Sequence, residues 1–236
     1  MSDSIGATIP RYRMQIFLFK TLLLLLLAFA GVSTSHAETT MMDKIKALEP
    51  TIGAHPPNIH SREEFEAVKA RYEDLKSELD RLVRASPTDQ SLLFMRGYLQ
   101  SMGHNFDYPG AWQGATDDLK AVLVSNRGDI PAMLALGKLW VNSNPALAPD
   151  AEKLFRGAQC YKGSEPLEEA QNGLFFALYF QGRMSEALRQ IEYLAQTWPQ
   201  KEQYQRLREI TRGVVGRGGE VEDQGAVKFA MASCGN

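Results

Sequence analysis

Residues 173–200 have the sequence GLFFALYFQGRMSEALRQIEYLAQTWPQ, and this stretch gives the clearest indication of the fold. Its apolar residues recur every three or four positions in each half: Leu174 and Leu178, then Ala187, Ile191 and Leu194. Such spacing places side chains on one face of an α-helix. Gln181-Gly182 separates the two halves, and a glycine between periodic segments marks a turn. The stretch therefore predicts two helices joined by a tight turn.

The second half of this stretch has two counterparts upstream. A small residue is followed by larger or apolar residues four and seven positions later, in three sets each displaced by 36 residues: Ala115, Leu119 and Val122; Ala151, Phe155 and Ala158; Ala187, Ile191 and Leu194. A second helical stripe precedes each set, and turn residues separate the two at 104–110, 142–149 and 181–182. No stretch has a convincing period of two, so the sequence predicts an all-α chain of helical hairpins.

These hairpins resemble tetratricopeptide repeats, which are helical hairpins of about 34 residues. The last unit carries most of the resemblance, at Leu174, Leu178, Gly182, Ala187, Ile191, Leu194 and Pro199. The middle unit matches at Leu136, Gly137, Trp140, Ala151, Phe155 and Ala158, and the first at Gly97, Ala115 and Leu119. Phe175 and Leu194 stand where the family has small residues. The longer period keeps the Sel-like helical repeats as a near alternative.

The resemblance implies a right-handed superhelical array of about three hairpins with capping helices. Arrays of this kind form a concave groove lined by the first helix of each hairpin, and tetratricopeptide grooves hold segments of other proteins. The candidate partner-binding residues are Tyr98, Lys138, Asn142, Asn172, Phe176 and Tyr179. Leu174, Phe175 and Leu178 are assigned to the core instead. Packing of Phe176 and Tyr179 against the next helix is an equally good interpretation.

The segment before the array predicts one long helix at residues 61–86. Its apolar residues follow spacings of 3, 4, 3, 4 and 3: Phe65, Val68, Tyr72, Leu75, Leu79 and Leu82. Ser61-Arg62-Glu63-Glu64 has the pattern of a capping box, in which a hydroxyl and a carboxylate satisfy free backbone donors. We expect this helix to cap one end of the array, and Lys201–Arg212 the other. The alternative is a seam that joins copies of the chain into an oligomer.

The N-terminus has the pattern of a secretory signal peptide. Arg11, Arg13 and Lys20 precede the apolar run TLLLLLLAFAGV, and small residues lead to Ala37. The run is shorter than the roughly 20 residues that span a bilayer. The sequence predicts cleavage after Ala37 and a periplasmic location, with secretion or an uncleaved membrane anchor as alternatives. A start at Met14 would give a tighter signal peptide.

Five segments follow from these patterns: a cleaved signal peptide at 1–37, a proline-containing arm at 38–60, a capping helix at 61–86, a repeat array at 88–212, and a glycine-rich linker with a tail at 213–236. Disulfides persist in exported proteins. Cys160 and Cys234 are the only cysteines, so they form the one pair available to fasten the tail to the body. Two unpaired thiols are the alternative.

Composition excludes several classes of function. The chain has 236 residues, 26 Lys and Arg against 28 Asp and Glu, and 44% hydrophobic residues, which is unlike a polytopic membrane protein or a strongly basic nucleic-acid binder. His55 and His60 lie in the arm without further ligands at metal-site spacing. His104 lies in a polar turn with no Ser or Cys nucleophile in a recognisable motif. Gly213–Gly219 lacks the GK[ST] ending of a phosphate loop.

The sequence therefore predicts a non-enzymatic, exported scaffold or adaptor that binds a protein or peptide of the cell envelope. We expect no cofactor, no metal, no catalytic residue, no nucleic-acid partner and no stable membrane insertion after signal cleavage. The chain itself is expected to be a monomer or a weak homo-oligomer. Two alternatives remain open, an exported enzyme with a dispersed site and a structural oligomer formed through the stripe at residues 65–82.

Overall fold

Helices and their connecting turns make up residues 40–217, the part of the chain that the computed structural model describes, and this part contains no strand. Two units divide between Ala47 and Leu48. Residues 40–46 are helical in the first. The second contains α1 (Glu49–Ile52), α2 (Arg62–Ala85), α3 (Gln90–His104), α4 (Ala111–Ser125), α5 (Ile130–Ser143), α6 (Ala148–Lys162), α7 (Glu168–Phe180), α8 (Met184–Thr197) and α9 (Glu202–Arg217).

The all-α prediction is confirmed for these residues. The predicted signal peptide, most of the predicted tail and Cys234 lie outside them. The observed turns between α3 and α4, α5 and α6, and α7 and α8 coincide with the three predicted turns. A short 3-10 helix, Pro145–Leu147, lies in the second of these turns.

Side chains at the helix starts supply acceptors for backbone N–H groups that have no partner in the first turn. Asp129 accepts a hydrogen bond from the backbone N–H of Ala132 (2.9 Å). At the start of α2 the hydroxyl of Ser61 accepts from the N–H of Glu64 (3.0 Å). In a standard capping box the Glu64 carboxylate would accept from the backbone N–H of Ser61. Here it accepts from the backbone N–H of the preceding residue, His60 (2.8 Å).

The repeat frame forms the core of the second unit. Consecutive helices from α2 to α9 pack on one another, and α3, α5 and α7 also pack side by side. All nine residues of the three displaced sets are buried, with exposures of 0–2%. Phe155 of α6 lies against Gly137 of α5 and Gly173 of α7. A Cβ atom at these glycines would lie 2.9 Å and 2.2 Å from the Phe155 ring, so the close approach of the three helices requires glycine.

The apolar stripe of helix α2 is buried against other helices of the same chain. Val68, Tyr72, Leu75 and Leu79 are buried, and α2 packs against α3. Val83, rather than Leu82, is the last buried residue of the stripe. The face that would join copies in the oligomer hypothesis is therefore already covered inside one chain.

Helix α9 extends further than the sequence indicates. The predicted linker begins at residue 213, but the helix continues through Gly213 and Gly216 to Arg217. Glycine costs about 1 kcal/mol relative to alanine in a helix. Burial of Val215 (9% exposed) opposes that cost. At the other end of α9 the buried Tyr204 donates a hydrogen bond to Glu168 of α7 (2.7 Å), so α9 is fastened to α7 as well as packed on α8.

A buried ion pair fixes α3 against α4. Arg96 donates two hydrogen bonds of 2.7 Å to the carboxylate of Asp118, whose side chain is 7% exposed. Gln100 donates a third bond to the same carboxylate (3.1 Å). Bidentate pairs of this kind are the strong form of charge-assisted hydrogen bond, so they set the relative position of two helices that carry the first hairpin.

Candidate functional site

The face formed by α3, α5 and α7 is the candidate site, because it carries all six predicted partner-binding residues. Part of this face is already occupied. Residues 48–58, here called the arm segment, contain the helical turn α1, which packs against α3. Leu48 and Ile52 lie four positions apart in the arm segment and are 1% and 0% exposed. Residues 48–58 of the predicted arm thus make ordered contacts within the second unit.

Two predicted residues hold the arm segment by polar contacts. The Tyr98 hydroxyl on α3 donates a hydrogen bond to the Glu49 carboxylate (2.8 Å). The Lys138 ammonium on α5 donates to the backbone carbonyl of Gly53 (3.1 Å). The arm segment therefore bridges two first helices of successive hairpins, and the two residues do face the same way.

Asn105, just after α3, provides a third contact that sequence reasoning missed. The side-chain amide of Asn105 donates to the carbonyl of Ile52 (2.7 Å). The backbone carbonyl oxygen of Asn105 lies 3.2 Å from the Nδ1 of His55. The sequence does contain one indication that this stretch packs against the rest of the chain. Leu48 and Ile52 are four positions apart, which is the spacing of a helical turn with one buried side.

The electrostatics of this end of the face are dominated by acidic groups. Burial raises the pKa of the Tyr98 hydroxyl, and the hydrogen bond to Glu49 and the negative charges of Glu49 and Glu169 raise it further. The hydroxyl stays protonated and acts as a donor at neutral pH.

The α7 part of the face is an aromatic surface. Phe176 and Tyr179 are half-buried and pack on the edge of the core. The Phe176 ring stacks on that of Phe180, with centroids 6.3 Å apart, and Phe180 is 41% exposed. Leu174 and Phe175 lie in the core beneath, at 2% and 1% exposure.

Asn172 and Asn142 are the remaining predicted residues. Asn172 has a side-chain oxygen that is shielded from solvent and has no hydrogen-bond partner among residues 40–217. An unsatisfied buried acceptor costs about 1–3 kcal/mol. Asn142 lies exposed near the end of α5. The arm segment accounts for Tyr98 and Lys138, and Asn142 and the four α7 residues 172, 176, 179 and 180 lie beyond its polar contacts.

A second concavity lies between α4, α5 and α6 and was not anticipated. It has a volume of about 350 Å³ and is lined by Lys120, Leu123, Val124, Arg127, Leu136, Trp140 and Leu154. The Lys120 ammonium lies 5.1 Å from the centroid of the Trp140 ring, a cation–π distance. This volume is at the lower end for ligand pockets.

Within residues 40–217 no three His, Cys, Asp or Glu side chains are grouped as metal ligands. No helix in that range is both long and apolar enough to cross a bilayer. Cys160 lies near the end of α6; because Cys234 is outside the described residues, the predicted disulfide stays a prediction.

Comparison with known proteins identified no relative. No family model matches the chain, and neither the curated proteins nor the solved structures contain a match. Function is therefore inferred from the geometry of the α3, α5 and α7 face.

Proposed function

We propose that the protein is an exported, non-enzymatic scaffold whose α3, α5 and α7 face binds a segment of another protein in the cell envelope. The proposal includes a superhelical, tetratricopeptide-like arrangement of the three hairpins, in which this face lines the concave groove. The Sel-like arrangement would use the same helices and the same residues.

The observation that carries the proposal is the arm segment on this face. Tyr98 and Lys138 were selected from the sequence as contacts for a peptide, and both bind a peptide stretch, through a carboxylate and a backbone carbonyl. The aromatic surface on α7 supports the same function, because exposed aromatic side chains supply large contact areas at protein interfaces.

Export rests on the sequence of residues 1–37. N-terminal sequencing of the protein from the periplasmic fraction tests it, and we expect Glu38 as the first residue. A full-length chain in the membrane fraction would support the uncleaved anchor instead.

Site-specific cross-linking tests the binding function. A photoreactive phenylalanine analogue at Phe180, the most exposed aromatic residue of α7, should cross-link a defined protein in intact cells. Combined Asn172→Ala and Tyr179→Ala substitutions should abolish that adduct. The matched control is Tyr161→Ala with Gln196→Ala, which removes the same kinds of group from exposed positions on α6 and α8 and should leave the adduct intact.

The outcomes separate the alternatives. An adduct that is unchanged in the α7 double variant would reject this face as the binding surface. An adduct between two copies of the chain, with a doubled mass by light scattering, would favour the structural oligomer. Turnover in a screen of hydrolase and transferase substrates that survives both double variants would favour a dispersed enzyme site.

A further inference from the structure

The arm segment has the features of a ligand held by its own receptor. We infer that it is an internal ligand of the α3 and α5 part of the face, and that the protein partner replaces it with a helical turn of the same chemistry. That chemistry is two aliphatic side chains four residues apart, a carboxylate beside the first, and free backbone carbonyls after the second. The inference rests on the proposed function, because it requires that the face bind a partner.

The structure of the arm segment depends on the face beneath it. Helix α1 has only four residues, and isolated helices shorter than about 12–15 residues are marginal in water. The apolar side chains of the arm segment, Leu48 and Ile52, are almost fully buried. The side chains of Pro50, Ala54 and His55 around them are exposed. One side of the turn therefore makes the contact and the other faces solvent, as in a peptide bound in a groove.

Two of the polar contacts are made to the end of a helical turn. The carbonyls of Ile52 and Gly53 lie at the C-terminal end of α1, where carbonyl groups have no partner inside the helix. Asn105 and Lys138 donate to them at 2.7 Å and 3.1 Å. Together with the Tyr98 hydroxyl, the face presents three donors to three acceptors of the arm segment. A partner turn with an acidic residue and free terminal carbonyls would satisfy the same donors.

The tether explains how such a ligand protects the face. A short linker gives a covalently attached ligand an effective concentration in the millimolar range. The arm segment is joined to α2 through residues 59–61, so a free partner competes with it at that concentration. For an intrinsic Kd near 100 μM and an effective concentration near 1 mM, competition weakens a free peptide about tenfold.

Binding of a free arm peptide to the purified protein tests the inference. The probe is a fluorescein-labelled peptide with the sequence LEPTIGAHPPN of residues 48–58, followed by fluorescence anisotropy. Ile52→Asp in the protein should release its own arm segment, because a carboxylate cannot be buried at that position without a partner. We expect the peptide to bind this variant about tenfold more tightly than the unaltered protein.

Two controls fix the interpretation. Ala54→Asp adds the same charge at an exposed position of the arm segment and should leave peptide binding as weak as in the unaltered protein. Lys138→Ala, combined with Ile52→Asp, should weaken peptide binding several-fold by removing a donor. Circular dichroism checks the fold of each variant. If Ile52→Asp does not fold, Glu49→Lys replaces it, because this substitution removes the carboxylate that Tyr98 binds and changes only a half-exposed side chain.

Equal peptide binding to the Ile52→Asp and Ala54→Asp proteins, or binding to neither, would overturn the inference and make the arm segment a fixed part of the array. The Phe180 cross-link distinguishes this failure from that of the proposed function. An adduct that depends on Asn172 and Tyr179 but does not increase with Ile52→Asp would leave the function standing without the internal ligand. Tight peptide binding without any such adduct would overturn the function while the arm segment remained a ligand of the face.

Discussion

Replacing Gly173 with alanine tests how the hairpins are packed. The added Cβ would lie 2.2 Å, 2.4 Å and 2.5 Å from three carbons of the Phe155 ring, whereas carbon atoms in contact are about 3.5–4.0 Å apart. Phe155 is 2% exposed, so its ring cannot swing into solvent. Either the ring or helix α7 has to shift by more than 1 Å.

The magnitude follows from two opposing contributions. Overpacking a core costs about 1–3 kcal/mol, and the severity of this clash places it near the upper value. Alanine gains about 1 kcal/mol over glycine in helix propensity. The expected net loss is about 2 kcal/mol, which lowers the melting temperature by roughly 4–8 °C for a protein of this size.

Thermal unfolding followed by circular dichroism measures the change, with Gly213→Ala as the matched control. Gly213 lies inside α9, and beyond its chain neighbours and the backbone of its own helical turns no atom lies within 4 Å of the Cβ that would be added there. The same substitution should therefore be neutral or raise the melting temperature slightly. Phe155→Leu should restore part of the stability lost by Gly173→Ala, with a coupling of about 1 kcal/mol or more. A melting temperature of Gly173→Ala at or above that of the unaltered protein would refute the packing described for Phe155.

Three further perturbations test other parts of the molecule. Ala187→Leu inserts a large side chain at a position with 0% exposure, so it should lower the melting temperature by overpacking, at a cost of about 1–3 kcal/mol; an unaltered melt would count against the repeat frame. Arg183 donates a hydrogen bond of 2.6 Å to Glu186, and this bond holds the pKa of Glu186 below its ordinary value of 4.5. A carboxyl with a lowered folded-state pKa stabilises the protein above its unfolded pKa and loses that effect as the pH falls through the folded pKa. The stability lost in Glu186→Gln, under about 1 kcal/mol for so exposed a pair, should thus be present at pH 7 and shrink below pH 4.5 in urea unfolding; an equal loss at pH 7 and pH 3 would contradict it. Finally, intact mass after alkylation of the unfolded, unreduced protein should show no modified thiol if Cys160 and Cys234 are bonded, and two if they are free.

Local periodicity was sufficient to predict the hairpins because each of their helices has one apolar face, and the spacing of that face is written in consecutive residues. The small and large positions of the repeat frame are buried as expected, since only small side chains allow the backbones to approach and only large ones fill the space between them. The start of α2 was predictable for a similar reason, because a capping interaction involves neighbours three or four residues apart.

Contacts between residues far apart in the chain were not predictable in this way. Tyr98 and Lys138 were chosen as partner contacts, but nothing near them in the sequence indicates that Glu49 and Gly53 would meet them. Their distances along the chain, 49 and 85 residues, are closed by the packing of α3 against α5. The extension of α9 through Gly213 has the same origin, because burial of Val215 overrides the preference of glycine for a turn.

The order of residues specifies the helical class of residues 40–217 and the repeat frame, and it places the candidate partner contacts on α3, α5 and α7. These properties depend on side-chain spacing within single helices. The packing of the helices, in contrast, places residues 48–58 on part of this face and buries the α2 stripe within the chain. Both depend on which surfaces meet when helices pack, and many arrangements of the same helices would bury the same stripes.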